Sequence, residues 1–253
     1  MIGDVVGRPG LEVLEARLPV LIREHHIDFV TVNSENAADG FGLTETEFRR
    51  ILAAGADVIT SGNHVWEKRD FLTILDSEKT VLRPANYPDN VSGTGVARIE
   101  KNNTRWLVIN LQGREHMYAI DCPFQCFDRI INANEGFPVI LVDFHAESTR
   151  EKEALGFYLD GRASLIAGTH THVQTADERI LPKGSGYITD LGMTGIINSV
   201  IGMDPQLCLE RVRKQVLYRM ETAAADDAAQ MRMQGIIAEI DAETGTAISI
   251  RRI

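Results

Sequence analysis

Cysteine is scarce in this chain of 253 residues: the thiols are Cys122, Cys126 and Cys208. An odd and sparse set excludes a disulfide scaffold and points to a reducing compartment. Cys122 and Cys126 lie four apart, a spacing that some zinc sites use. No second Cys or His pair at finger-like spacing accompanies them, so they read as free thiols beside a helix. No run of 18 apolar residues occurs, so no membrane span and no membrane partner are expected. A basic stretch followed by an apolar one is absent at the start, so no secretory leader is expected and the cytoplasm is the default compartment. Positive charge is in deficit, with 26 Lys and Arg against 36 Asp and Glu and a formal net charge of −10. That argues against polymeric nucleic acid as a partner, because binders of the phosphate backbone carry excess Lys and Arg. A small anionic substrate stays compatible, since the charge of a bound metal outweighs the global field locally. Internal repeats and low-complexity segments are also lacking.

The length suits one large domain with a full core. The first half alternates apolar runs with helical patterns. Phe29 to Val32, Val58 to Thr60, Val139 to Val142 and Leu165 to Ala167 read as buried parallel strands, with Ile2 as a stub before them. Leu11, Leu14, Leu18, Leu21 and Ile22 recur at helical spacing and predict a helix from Pro9 to about His26. Thr44 to Glu47 and Ser148 to Glu151 are capping boxes that open helices ending near Gly55 and Gly161. Trp66 to Leu75 and Leu207 to Met220 are further helix candidates. From about Val81 the pattern turns to short strands: Val96 to Ile99, Trp106 to Leu111, Arg179 to Leu181, Tyr187 to Thr189, Gly235 to Ile240 and Ala247 to Ile250. This mix predicts an α/β fold of two mixed sheets packed face to face with helices outside. Gln112 to Glu135 has no clear period; a lid, a subunit contact or a helical excursion all fit it.

Short polar clusters follow the strand-like runs: Gly3-Asp4, Asn33-Ser34-Glu35-Asn36, Gly62-Asn63-His64, Asp143-Phe144-His145 and Gly168-Thr169-His170-Thr171-His172. Taken singly each has an ordinary reading, as an N-cap, a turn or a satisfied core histidine. Together, at the carboxyl ends of consecutive parallel strands, they match what a bound metal pair needs. A carboxylate shared by two cations holds them about 3.5–4 Å apart. Glu35 is the candidate bridge, Asp4 a ligand on one side, Asn63 an amide ligand on the other, and His145, His170 and His172 supply imidazole nitrogens. Oxygen and nitrogen donors without thiolate suit manganese, iron, zinc or cobalt. His25 and His26, at the end of the first helix, suit its dipole and read as structural.

These residues resemble the calcineurin-like metallophosphoesterase superfamily, whose order is an early Asp, an acidic bridge, Gly-Asn-His, a later His and Gly-x-His-x-His. The chain is similar, more narrowly, to the YmdB-like bacterial branch, in Gly-Asp-Val-Val-Gly (residues 3–7), in Asn33 to Asn36, in Arg83-Pro-Ala-Asn-Tyr-Pro88, in Asp143-Phe-His-Ala-Glu147 and in Asp190-Leu-Gly-Met-Thr-Gly195. Two departures from the wider superfamily, Val6 in place of a His and Glu35 in place of an Asp, match that branch. The resemblance implies a four-layer α/β/β/α sandwich. It implies one metal on Asp4, Glu35, Asn36 and His172, and a second on Glu35, Asn63, His145 and His170. The cofactors it implies are two divalent or mixed-valence ions, iron or manganese before zinc or cobalt. Implied activity is hydrolysis of small phosphodiesters by a metal-bridging hydroxide, with His64 as proton donor. Cyclic nucleotides are the implied substrates, 2′,3′-cyclic ones first and 3′,5′-cyclic AMP second, and a homo-oligomer is the implied assembly. Alternatives are a phosphomonoesterase or protein phosphatase on the same site, and a metal-stabilised regulatory protein. Backbone amides near Gly7 and Gly10 are candidate phosphate donors, because they open a helix. Only three residues precede Asp4, so its strand is expected to be a stub and the first metal the more loosely held.

Overall fold

The computed structural model describes residues 1–224 and 231–253. Its small sheet is built from β1 (Asp4–Val5), β2 (Thr31–Asn33) and β3 (Val58–Thr60). The large sheet uses β4 (Val96–Lys101), β5 (Thr104–Gln112), β6 (Val139–His145), β7 (Leu165–Thr169), β8 (Arg179–Ile180) and β9 (Gly186–Ile188) in the order β4-β5-β6-β7-β9-β8. Strands β5, β6, β7 and β9 run parallel, and the edge strands β4 and β8 are antiparallel to their neighbours. β10 (Met193–Ile196) pairs in parallel with β1 and antiparallel with β11 (Met231–Arg232). Ile2 forms a parallel bridge to Val32 and so ties β1 to β2, which pairs in parallel with β3. β12 (Ile236–Ile240) and β13 (Ala247–Arg252) form a hairpin around the turn expected at Asp241 to Gly245.

The helices are α1 (Gly7–His25), α2 (Glu45–Ala53), α3 (Leu72–Ser77), α4 (Pro123–Asn132), α5 (Thr149–Leu159) and α6 (Pro205–Lys214). Leu11, Leu14 and Leu18 of α1 and Phe48 and Ile51 of α2 pack with Val5, Val32 and Ile59 on the outer face of the small sheet. Phe127 of α4 and Leu155 and Leu159 of α5 cover Leu107, Ile109, Val142, Phe144 and Ile166 on the outer face of the large sheet. Between the sheets lie Val58, Val108, Leu141, Leu165, Ala167 and Ile188. The layers are therefore helix, sheet, sheet, helix, as the sequence predicts. Among the described residues no helix is long and apolar enough to cross a membrane.

Strand alternation decides what faces the gap between the sheets. On β6, Val142 and Phe144 join the outer cluster while Val139 and Leu141 point inward. Asp143 and His145 follow on the inward face. Toward the carboxyl ends of the strands the filling between the sheets changes from apolar to polar, with Asn33, Thr60, Asn110, Asp143 and Thr169 all buried. Asp143 joins the two sheets: it accepts from Asn33 Nδ2 at 3.1 Å and from the Thr60 hydroxyl on the small sheet, and from Thr169 Oγ1 at 2.7 Å on its own sheet.

Several elements differ from the sequence reading. Trp66 to Lys68 is irregular, and the helix there is a short 3-10 segment (Arg69–Phe71) running into α3. The helix expected at Leu207 to Met220 opens earlier, on an Asp204 cap, and stops at Lys214 where Gln215 turns left-handed. Ser148 caps α5 by accepting from Glu151 N, but the Glu151 carboxylate does not close the box. It accepts from the backbone amides of Arg114 and Glu115 instead. Strand β10 carries no strand signal in its Met-Thr-Gly-Ile sequence; it forms because Gly195 and its neighbours extend the small sheet beside β1. Within Gln112 to Glu135, α4 packs on the core through buried Cys126 and Phe127. His25 and His26 close α1, with His26 left-handed at its end, and the cysteines are free thiols.

Candidate metal centre

Apart from Asp4, which opens the two-residue strand β1, every residue singled out from the sequence as a ligand lies at the carboxyl end of a strand or in the loop directly after it. They form two groups. The first surrounds Nε2 of His145, a side chain with no exposure to solvent. Glu35 Oε1 lies 3.0 Å from that nitrogen, His170 Nδ1 3.0 Å and Asn63 Oδ1 3.2 Å. Nδ1 of His145 lies 3.0 Å from Thr169 Oγ1, whose own proton goes to Asp143, so Nδ1 carries a hydrogen and donates there. His170 Nε2 lies 3.2 Å from Glu147 Oε2, which leaves its Nδ1 lone pair facing inward. A carboxylate oxygen, an amide oxygen and an imidazole lone pair thus converge on one N–H. Four donors about 2.1 Å from one tetrahedral ion would stand about 3.4 Å apart, close to these separations. The ligand atoms of Glu35, His145 and His170 all lie within 4.8 Å of one another.

Gly62 explains why the sequence reads Gly-Asn-His here. A Cβ at that position would come within 2.2 Å of His145 Nε2 and 2.5 Å of Glu35 Oε2. Any side chain would occupy the space where the donors meet.

The second group holds Asp4, Asn36 and His172, all buried. His172 Nδ1 donates to the Ile201 carbonyl at 2.8 Å, so its Nε2 presents a lone pair, which accepts from Asn36 Nδ2 at 2.8 Å. Asp4 Oδ1 lies 3.8 Å from the same Nε2. Among the described residues, buried Asp4 Oδ1 and Asn36 Oδ1 have no hydrogen-bond partner. Orphaned buried oxygens are costly unless something positive satisfies them, and a cation suits both. The His170 backbone N–H, at 3.3 Å from Asp4 Oδ2, links the two groups.

The charges agree with this geometry. Burial drives the Asp4 carboxyl up to about 6, against the lowering effect of His172 and His145. Burial and the neighbouring His145 push His170 down to about 3, which keeps it a neutral donor. For the Glu35 and His145 pair, burial opposes both charges, and their mutual attraction outweighs it. Glu35 is held below the ordinary carboxylate range and His145 above the ordinary imidazole range.

His64 stands at the edge. Its backbone N–H donates to Glu35 Oε2 at 3.0 Å, its ring Nδ1 lies 3.3 Å from Glu67 Oε1, and the ring meets Phe41 edge-on at 5.1 Å. Sequence reasoning missed the orienting partners: Asp143 and Thr169 behind His145, Glu147 beside His170, Glu67 beside His64, and the Ile201 carbonyl on His172. Asp143 and Thr169 were legible in principle, because strand alternation puts them on the inward face near the ligands. The Ile201 contact spans 29 positions and left no local signal. The suggested phosphate-binding amides are already used: Gly7 N donates to the Asn36 carbonyl at 2.8 Å and Gly10 N to the Val6 carbonyl at 3.1 Å.

Comparison with known proteins extends over the whole chain. Residues 1–253 match the family model described as YmdB-like protein. A Bacillus subtilis (strain 168) protein named 2′,3′-cyclic-nucleotide 2′-phosphodiesterase is 44% identical over 253 residues, covering 100% of this chain and 94% of that protein. The crystal structure of a hypothetical protein from Thermus thermophilus superposes with a TM-score of 0.92 at 38% identity, covering 100% of this chain and 96% of that one. A crystal structure described as a novel phosphatase, from Mycoplasma pneumoniae, also gives a TM-score of 0.92, at 33% identity over 100% of this chain and 90% of that one.

Proposed function

Because the chain belongs to the YmdB-like family, we propose that it is a metal-dependent phosphodiesterase acting on small phosphodiesters. Its first substrates are 2′,3′-cyclic nucleotides, in keeping with the name of the Bacillus subtilis relative, and 3′,5′-cyclic AMP comes second. The observation that carries this reading is the meeting of Glu35, Asn63 and His170 around Nε2 of His145, where one proton stands among lone pairs suited to a cation. In this reading Glu35, Asn63, His145 and His170 would hold one ion, and Asp4, Asn36 and His172, together with Glu35, would hold a second. Two such ions, when bound, supply Lewis acidity toward phosphate oxygens and an acidified water.

The remaining work falls to the protein. Thr169 and the Ile201 carbonyl fix the tautomers of His145 and His172, so that each presents Nε2. Glu35 anchors the His64 backbone, and the Glu67 carboxylate accepts from Nδ1–H of the doubly protonated ring, whose Nε2–H then goes to the departing alkoxide and leaves the imidazole neutral. No side chain need form a covalent bond to phosphorus.

Metal analysis of freshly purified protein, joined to a panel of cyclic nucleotides, bis-p-nitrophenyl phosphate and p-nitrophenyl phosphate, tests the proposal. Metal-dependent turnover of diesters above the monoester is expected. Preference for the monoester would move the reading to a phosphomonoesterase. Bound metal without turnover of any ester would move it to a regulatory protein.

A further inference from the structure

We infer that the buried Lys152–Asp190 ion pair is a positioning device for the histidine loop, acting on both metal positions through Thr171. The inference rests on the metal-centre reading above. His170 and His172 both sit in left-handed backbone, at φ 98° and 64°. Non-glycine residues hold such conformations only where their surroundings over-determine them. Between the two lies Thr171, and both its backbone N–H and its hydroxyl donate to Asp190 Oδ2, at 3.2 and 2.8 Å. The loop is closed again at its far end, where Thr175 N donates to the Asp190 carbonyl at 3.1 Å and Asp190 N donates to Thr175 Oγ1 at 2.9 Å. The other carboxylate oxygen of Asp190 accepts from Gly192 N at 2.8 Å. One carboxylate thus fixes the residue between two ligands, and with it the direction of both imidazoles.

A buried carboxylate needs a counter-charge. Lys152 supplies it from α5, on the outer face of the large sheet, with Nζ 2.6 Å from Asp190 Oδ2 and the side chain 2% exposed. The lysine reaches Asp190 across β7 because position 168 is glycine: a Cβ there would stand 2.9 Å from Lys152 Cδ and 1.8 Å from the Thr189 carbonyl oxygen. Glycine before the His-x-His segment therefore serves the passage of a lysine as well as close strand packing. Among the described residues neither Lys152 nor Asp190 hydrogen-bonds to a proposed ligand side chain; Asp190 reaches His170 and His172 through Thr171, while the two charges also act on His170 and Asp4 through space, so the neutral Thr171 variants isolate the loop.

The test is manganese(II) titration of metal-free protein by calorimetry, with thermal unfolding recorded alongside. Thr171→Val removes the hydroxyl bond while keeping the shape, Thr171→Ser keeps the bond, and Lys152→Met leaves Asp190 without its cation. Thr171→Val and Lys152→Met are expected to lower manganese affinity by about 10–100-fold, as loss of an orienting partner does at other metal sites, with Thr171→Ser close to the wild type. If Lys152→Met does not fold, the Thr171 pair decides alone. Folded Thr171→Val protein that binds manganese as tightly as the wild type overturns the inference and leaves the metal centre standing. A wild-type protein that takes up no manganese overturns both.

Discussion

Thr169 Oγ1 lies 3.0 Å from Nδ1 of His145 and gives its own hydrogen to Asp143, so toward the imidazole it acts as an acceptor. The hydroxyl thereby holds His145 in the tautomer that turns Nε2 toward Glu35, Asn63 and His170. Thr169→Val keeps the side-chain shape and removes that acceptor. Metal affinity is expected to fall by about 10–100-fold and to recover in Thr169→Ser, as read by metal titration of the stripped protein. Equal affinity in Val and Ser variants would show that the tautomer is set elsewhere.

Gly62 has no room for a methyl group beside His145 and Glu35. Gly62→Ala is expected to cost about 1–3 kcal/mol of stability by overpacking and to prevent metal uptake. Denaturant unfolding and metal-to-protein stoichiometry check it; a variant that retains full metal content refutes the placement of the ion between these donors.

His64 lies beside the ligand cluster without being assigned to it. His64→Ala is expected to reduce turnover of cyclic nucleotides by about 10²–10⁴ while metal stoichiometry stays at the wild-type value. Loss of metal together with activity would instead make His64 a structural support of the centre.

The metal-free protein should lose stability as pH rises from about 7 to about 9. Glu35 raises the His145 imidazole, against burial, from its ordinary 6.5 to about 9. Its contribution is complete below the unfolded value and is lost as pH climbs through the folded one. Asp4, raised to about 6, and His170, lowered to about 3, have titrated below this window and add little slope. Bound cations favour the deprotonated donors, so the metal-loaded form should not share the decline. Thermal midpoints of chelator-treated and metal-loaded protein across this window check it. Parallel curves would contradict it.

The candidate ligand set was legible because a strand carries its pattern in its own residues. The run Val139 to Val142 predicts β6, and alternation along it sends Asp143 and His145 inward once one face is known to be buried. The capping box at Thr44 and the N-cap at Ser148 were legible for the same reason: N-caps are local chemistry. Ser148 shows the limit, since Glu151 had a second use, in the backbone amides of Arg114 and Glu115, that lay 37 and 36 positions away.

By itself the sequence determined which residues lie at or beside the strand ends and therefore which side chains were available to the candidate centre: Asp4, Glu35, Asn36, Asn63, His145, His170 and His172. The tertiary structure decided how they divide and which way each one faces. Tautomers came from Thr169 and the Ile201 carbonyl, the left-handed loop of His170 and His172 from Asp190 and Lys152, and the space for the donors from Gly62. The physical reason is range. Burial periodicity and caps act within a few residues, whereas a hydrogen bond that aims a ligand depends on the meeting of two sheets, which only the packed chain brings about.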